Sequence, residues 1–141
     1  MAIPGFQSIM LPLLKIASDE SDHNHAEVRD QLAVQFEISD SEKKEMLPSG
    51  KQARFSNRVA WAIVYLRRAG LIENSNRGIF HITGQGLDLL KTNPNKIDIK
   101  LLKQLYPEIK NWSKPAEESI DIYGSSLFHV GKLNLSFPVL R

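Results

Sequence analysis

There is no cysteine in the 141 residues, which excludes disulfide frameworks, thiolate metal sites and cysteine nucleophiles. No apolar stretch approaches the length of a membrane span. The N-terminus, MAIPGFQSIMLPLL, has neither a basic region ahead of its apolar residues nor a cleavage-site pattern. Internal repeats and low-complexity runs are absent as well. A soluble, cytoplasmic protein is the expectation. Net charge is also scarce, at +2, too little by itself to argue for a polyanionic partner. What the chain does have is an ordinary globular composition, 42% apolar and 24% charged, with length for one domain and an appendage.

The charge that exists is concentrated. Between Lys51 and Arg77 fall six of the 18 basic residues, Lys51, Arg54, Arg58, Arg67, Arg68 and Arg77, and one of the 16 acidic ones, Glu73. That segment is +5 and everything else is −3, the pattern of an electrostatic footprint for phosphates on an otherwise acidic body. The same segment carries the clearest structural signals. A helix is predicted over Arg54–Ala69, stopped by Gly70, which readily takes the left-handed conformation. Leu71-Ile72 and Ile79–Ile82 form two short strands around the turn-rich Asn74–Gly78, and Thr83 caps the next helix, which runs to about Lys91. Because Val59–Leu66 is apolar on every side, periodicity assigns it no core face; its middle should be buried on more than one side, with Arg54, Asn57 and Arg58 exposed at its start.

Upstream, Phe6, Met10, Leu13, Leu14 and Ala17 share one face of a helix over Ile3–Ala17, which Pro12 should kink or split. Asp19–Asn24 is a polar connection, and a second helix runs from His25 to about Phe36. Ser39 and Glu42 match a capping box opening a third helix, to which Met46 and Leu47 contribute apolar surface before Pro48-Ser49-Gly50 ends it. Short helix, tight turn and long helix is the helix-turn-helix order. Downstream, a helical pattern spans Ile97–Trp112, interrupted by Pro107. The fold class expected is mainly α with a small β-hairpin: a winged helix-turn-helix with additional N- and C-terminal helices. Its divisions are a winged-helix domain over 1–95, a helical extension over 96–112, and a linker or tail over 113–141.

Several features together resemble the N-terminal domain of Mrr-like restriction proteins. They are Ser49-Gly50, Asn57-Arg58, Trp61-Ala62, Leu66–Leu71, Arg77-Gly78, Ile82-Thr83 and Gly86, in that order, with Ile3-Pro4 and Pro12-Leu13-Leu14 near the start. The ordered set spans roughly residues 1 to 112 and is more specific than any single element. The resemblance implies a winged-helix module that presents DNA to a separate endonuclease domain of the PD-(D/E)xK type. In that family the nuclease lies downstream, and the residues after Ser119 do not resemble it. A recognition module without catalysis is therefore expected, as a truncated product, a fragment or a stand-alone relative, with a nuclease domain or subunit as a candidate partner.

On that expectation, Arg54, Asn57 and Arg58 approach the major groove, where arginine bridges a guanine edge and asparagine an adenine edge. Ser49 and Lys51 contact phosphates, and Arg77 at the wing tip reaches backbone or minor groove. Arg67 and Arg68 are expected on the surface, complementing the helix dipole. The partner is double-stranded DNA, methylated or unmodified, with a second copy of the chain as a further candidate because of the apolar Val59–Leu66 stretch. Two rival classes share these signals: a dimerisation or protein-interaction scaffold, and a transcriptional regulator. Trp61 and Tyr65 have the chemistry to stack on a flipped base, yet aromatics four apart on a helix are more often core. Asp98-Ile99-Lys100, Glu108-Ile109-Lys110 and Glu42-Lys43-Lys44 match a nuclease-like acidic-x-Lys pattern, but all three fall in expected helices with no partner aspartate. His23 and His25 beside Asp19 and Asp22 lack a third ligand and are expected as surface histidines. No cofactor and no metal is expected.

Overall fold

The computed structural model describes residues 3–109. In chain order these form α1 (Phe6–Ile16), a 3-10 turn (Ala17–Asp19), β1 (His23–Asn24), α2 (His25–Gln35), α3 (Asp40–Lys44), α4 (Arg54–Arg68), β2 (Ile72–Asn76), β3 (Ile79–Ile82), α5 (Gly84–Lys91) and α6 (Ile99–Leu105). The expected end of the last helix at Lys110–Trp112 and the tail over 113–141 lie outside the described residues. The architecture is mainly α with a small antiparallel sheet of order β1-β3-β2, a winged helix-turn-helix with extra helices at both ends.

α4 is the axle of this arrangement. Every residue from Val59 to Leu66 is buried, and α1, α3 and β2 all pack against the helix, so its uniformly apolar middle has neighbours on several sides. Phe6 of α1 stacks on Tyr65 with ring centroids 5.2 Å apart, within the range in which aromatic pairs gain energy beyond their buried area. α1 presents Phe6, Ile9, Met10, Leu13 and Leu14 to the core. The expected division at Pro12 does not occur, since α1 is one helix through it. Proline removes a single backbone donor, and the buried face on both sides of Pro12 outweighs that loss.

The end of α4 is locked twice. Gly70 takes φ +77°, and the amides of Gly70 and Leu71 donate to the carbonyls of Arg67 and Leu66 at 2.9 and 3.0 Å, a Schellman closure. The wing then returns to the same place. Thr83 Oγ1 donates to Gly70 O at 2.6 Å while accepting from the Gly86 amide at 3.1 Å, and Gln85 Nε2 donates to Ala69 O at 2.7 Å. Gly86 sits so close to this junction that a Cβ there would lie 2.3 Å from Leu71 O.

The wing differs from its sequence outline in two ways. β2 extends to Asn76, leaving a two-residue Arg77-Gly78 turn, and the register shifts between Asn74 and Asn76, so that Ser75 occupies a bulge. A third strand, β1, pairs with β3 through His23↔Phe80 and Asn24↔Ile79, where a polar connection was expected. His25, expected on the surface, is buried beside Phe80 at 5.3 Å between ring centroids. α6 is shorter than the expected helix: Asp98 caps it by accepting from the Leu101 amide at 2.9 Å, and it ends before Tyr106, the residue preceding Pro107, which proline's ring steers away from helical geometry. Ile97 and Leu102 are fully buried in the same apolar cluster as α1 and α4, and Gln7 Oε1 accepts from the Ile99 amide at 2.8 Å.

Candidate nucleic-acid interface

The segment joining α3 to α4 is a built loop. α3 is only five residues long and buries none of them; Ser39 holds it open at the N-terminus through a complete capping box, Glu42 N to Ser39 Oγ at 3.1 Å and Ser39 N to Glu42 Oε1 at 2.8 Å. The helix stops at Lys44, so Met46 is not part of it and stands exposed, whereas Leu47 is buried and anchors the loop. Chain direction reverses there. Gly50 N bonds Leu47 O at 2.8 Å, Leu47 N bonds Gln52 O at 2.9 Å, Met46 bridges Ala53, and Arg54 N bonds Glu45 O at 2.7 Å. Gly50 takes φ +73° to make the turn. The tip, Pro48-Ser49-Gly50-Lys51, is exposed immediately ahead of the N-terminus of α4.

The six residues expected to meet DNA separate into two groups. Ser49 and Lys51 are on that exposed tip, the Ser49 Oγ accepting from the Lys51 amide at 3.3 Å. Arg54 opens α4 beside them, about a quarter exposed (23%), with its Nε donating to Glu45 Oε2 at 3.0 Å and an Nη2 contact to Met46 O at 3.4 Å. Arg77 is exposed in the wing turn. Asn57 and Arg58 face the other way. Asn57 is 2% exposed, its Nδ2 donating to Gln52 Oε1 at 3.0 Å, and Arg58 is partly buried with Nη1 donating to Pro4 O at 3.1 Å. The expected exposure of the whole first turn of α4 is thus corrected: its polar residues serve the loop and α1 as well as the surface. Gln52 and Glu45, which the sequence pattern did not single out, are the groups that hold Asn57 and Arg54; neither stands in a recognisable motif, and only the loop's register brings them into reach.

Arg68 is not a surface residue, and Arg67 is half-buried. Arg68 is 8% exposed and lies over the Tyr65 ring, with 4.8 Å from guanidinium carbon to centroid, a cation–π contact. Burial pushes its pKa below the usual arginine value, opposed by Tyr65, while burial raises that of the Tyr65 phenol. Arg67 is lowered too, by burial first and then by Arg68; its Nη1 is buried and has no hydrogen-bond partner among the described residues. The +5 of the segment is therefore only partly displayed.

On the outer side of the sheet, the Ser75 hydroxyl donates to Asp22 Oδ1 at 2.6 Å and lies 2.7 Å from His81 Nδ1, while His81 Nε2 is 3.3 Å from Glu73 Oε2. A second clip joins His23 Nε2 to Asp19 Oδ1 at 2.8 Å; together with bonds from Ser21 it holds the Asp19 carboxyl at a pKa of about 2, the Ser21 amide being the largest cause. Among the described residues no group of three or more His, Asp or Glu is arranged to hold a metal ion, and no helix is long and apolar enough to cross a membrane.

A helix, a tight exposed loop, a long helix and a two-stranded wing clamped to its end define a winged-helix domain. Residues 6–92 match the family model of the Mrr N-terminal domain, and the chain belongs to that family. It is 26% identical over 133 residues to the type IV methyl-directed restriction enzyme EcoKMrr of Escherichia coli (strain K12), an alignment covering 92% of this chain and 43% of that enzyme. The chain thus spans less than half the length of the curated relative it matches. No solved structure matches it significantly.

Proposed function

We propose that the chain is the double-stranded-DNA recognition module of an Mrr-type restriction system, selective for duplex carrying methylated bases. The observation that carries this reading is the exposed Ser49–Lys51 tip with Arg54 behind it at the N-terminus of α4, in a chain of the Mrr N-terminal domain family. Methyl selectivity is supported by the name of the relative, a methyl-directed enzyme. Lys51 and Ser49 contact phosphates, where a lysine acts as a point charge and a helix N-terminus favours anions. Arg54 reaches base edges and Arg77 follows the backbone from the wing. Asn57 and Arg58 have positioning roles, the first through Gln52 and the second through the N-terminal segment at Pro4.

Cleavage belongs to a nuclease domain or subunit other than these residues. Of the acidic-x-Lys matches, Asp98 is the N-cap of α6 and Glu42 is engaged in the capping box of α3, so both carboxylates already have structural tasks. The dimerisation reading loses its motive, because Val59–Leu66 is buried within one chain.

The test is a binding titration of the purified chain against unmodified and methylated duplexes of one sequence at two salt concentrations. Tighter binding to the methylated duplex is expected at both. Lys51→Glu with Arg77→Glu should weaken binding to either duplex and flatten its salt dependence, by roughly 0.9 in log–log slope for each phosphate that is no longer neutralised. Unchanged affinity and slope in the folded double variant would sink the assignment.

A further inference from the structure

A row of polar side chains crosses the outer side of the sheet, from the segment ahead of β1 to the edge strand β2. Glu73 of β2 stands opposite His81 of β3 in the register, with 3.3 Å from His81 Nε2 to Glu73 Oε2. Asp22 approaches the other ring nitrogen, its Oδ1 3.6 Å from Nδ1. Ser75, the extra residue of the bulge, joins them: its hydroxyl is 2.7 Å from His81 Nδ1 and 2.6 Å from Asp22 Oδ1. β1, β2 and the 3-10 turn all pack against β3. Besides Glu73, their ionisable side chains are His23 and Asp19, which are bonded to each other at 2.8 Å. Asp22 and Glu73 are therefore the charges that meet His81 among the described residues.

The row has a fixed proton requirement. Its three contacts, Ser75 to Asp22, Ser75 to His81 and His81 to Glu73, need one proton each, and ionised carboxylates supply none. The hydroxyl supplies one and a neutral imidazole one more, so only the imidazolium completes the set. Imidazole is also the side chain that ordinarily changes charge between about pH 5 and 8. We propose that His81 is a proton-dependent positioning residue for the wing: as imidazolium it clips β2 across β3 to the segment ahead of β1, and its neutral form opens the clip. β2 is an edge strand, and the row ties its far half to the body. Asp22 and Glu73 are each 63% exposed, which sets the effect at the scale of surface ion pairs, up to about fivefold in the closed-to-open ratio. The consequence for binding rests on the DNA-binding reading above. With the wing on the duplex, a clipped wing is already placed, whereas an open one has to be ordered as it binds.

The experiment is amide hydrogen exchange of the full chain at about pH 5.5 and about pH 8, expressed as protection factors so that the pH dependence of the exchange chemistry drops out, with the amides of α4 as internal reference. Relative to α4, wild-type β2 and β3 should be better protected at the lower pH by up to about fivefold. His81→Gln should abolish that difference, and Glu73→Gln, which keeps the imidazole, should reduce it. A flat wild type, or an equal pH response in His81→Gln, would overturn the proposal. So would loss of wing protection by the same factor at both pH values in His81→Gln, the mark of a merely structural role. Titration of one duplex at the same two pH values reads the consequence for binding. Wild-type affinity should rise at the lower pH in step with wing protection, and Glu73→Gln should shrink that rise. Simple charge predicts otherwise: removing an anion would strengthen binding at both pH values and leave the pH response whole, which overturns the positioning role. Absence of binding to every duplex at either pH removes the DNA-binding reading, while the exchange measurement still decides the clip.

Discussion

Gly86 illustrates how much a single hydrogen decides at the junction of wing and helix. A methyl group there would lie 2.3 Å from the Leu71 carbonyl and 2.7 Å from Ile82 Cγ1, and the first of these is backbone, which cannot rotate away. Gly86→Ala should therefore cost about 1–3 kcal/mol, as overpacking in a close-fitting site does, measured by urea denaturation with the slope of the transition unchanged. Asp19 gives a residue-scale prediction of another kind. Its folded pKa of about 2 lies below the ordinary 3.8, so the deprotonated form is favoured by folding. The resulting stability is present in full above pH 3.8 and is lost as pH falls through about 2. The side chain is more than half exposed, so the effect is small in size but definite in sign. Asp19→Asn should lower the melting temperature at pH 6, and the difference from wild type should vanish near pH 2.

Among the elements, those with a local chemical signature were legible in the chain. Ser39 and Glu42 announce the start of α3, Thr83 that of α5, and Gly70 the end of α4, because a cap or a left-handed residue leaves its mark at a fixed spacing. β1 left none. His23-Asn24 is a polar pair too short for alternation, and it is a strand only because β3 offers it an edge. The bulge at Ser75 was equally silent, since it is defined by register against β3 and by Asp22, fifty-three positions away in sequence. That bulge has a measurable consequence. Ser75→Ala removes the tie between wing and body, so amides of β2 and β3 should exchange faster with solvent while global stability changes by less than about 1 kcal/mol. Uniformly unchanged exchange would mean that the clip does not hold the wing. α3 depends on its cap to a greater degree, having no buried residue; Ser39→Ala should cost about 1 kcal/mol and be felt at the loop that follows.

For the molecule as a whole, the basic segment shows how a linear charge count differs from a surface. Arg67 and Arg68 are taken inward at the end of α4 and Arg58 is tied to Pro4, leaving Lys51, Arg77 and part of Arg54 outward. Adjacent arginines after an apolar run look like a solvated helix end, and nothing local reveals that burial of α4 continues through its last turn. The C-terminal extension presents the same problem in reverse, for Thr92-Asn93-Pro94-Asn95 has the composition of a boundary. Yet Ile97 and Leu102 are fully buried in the cluster that includes Leu13, Leu14 and Leu66, and the N-terminus of α6 is bonded to Gln7 across ninety-two positions. Elements that share one core unfold together. We expect a single cooperative transition for residues 3–109, with Ile97→Ala lowering its stability by about 2–5 kcal/mol, and by the same amount whether followed at Trp61 fluorescence in a Trp112→Phe background or at helical circular dichroism. Two separated transitions, with the first confined to α6, would instead make the extension an independent appendage. On the DNA-binding reading proposed above, a single core means that Ile97→Ala should weaken binding only through the fraction unfolded, and excess duplex should raise the variant's melting temperature.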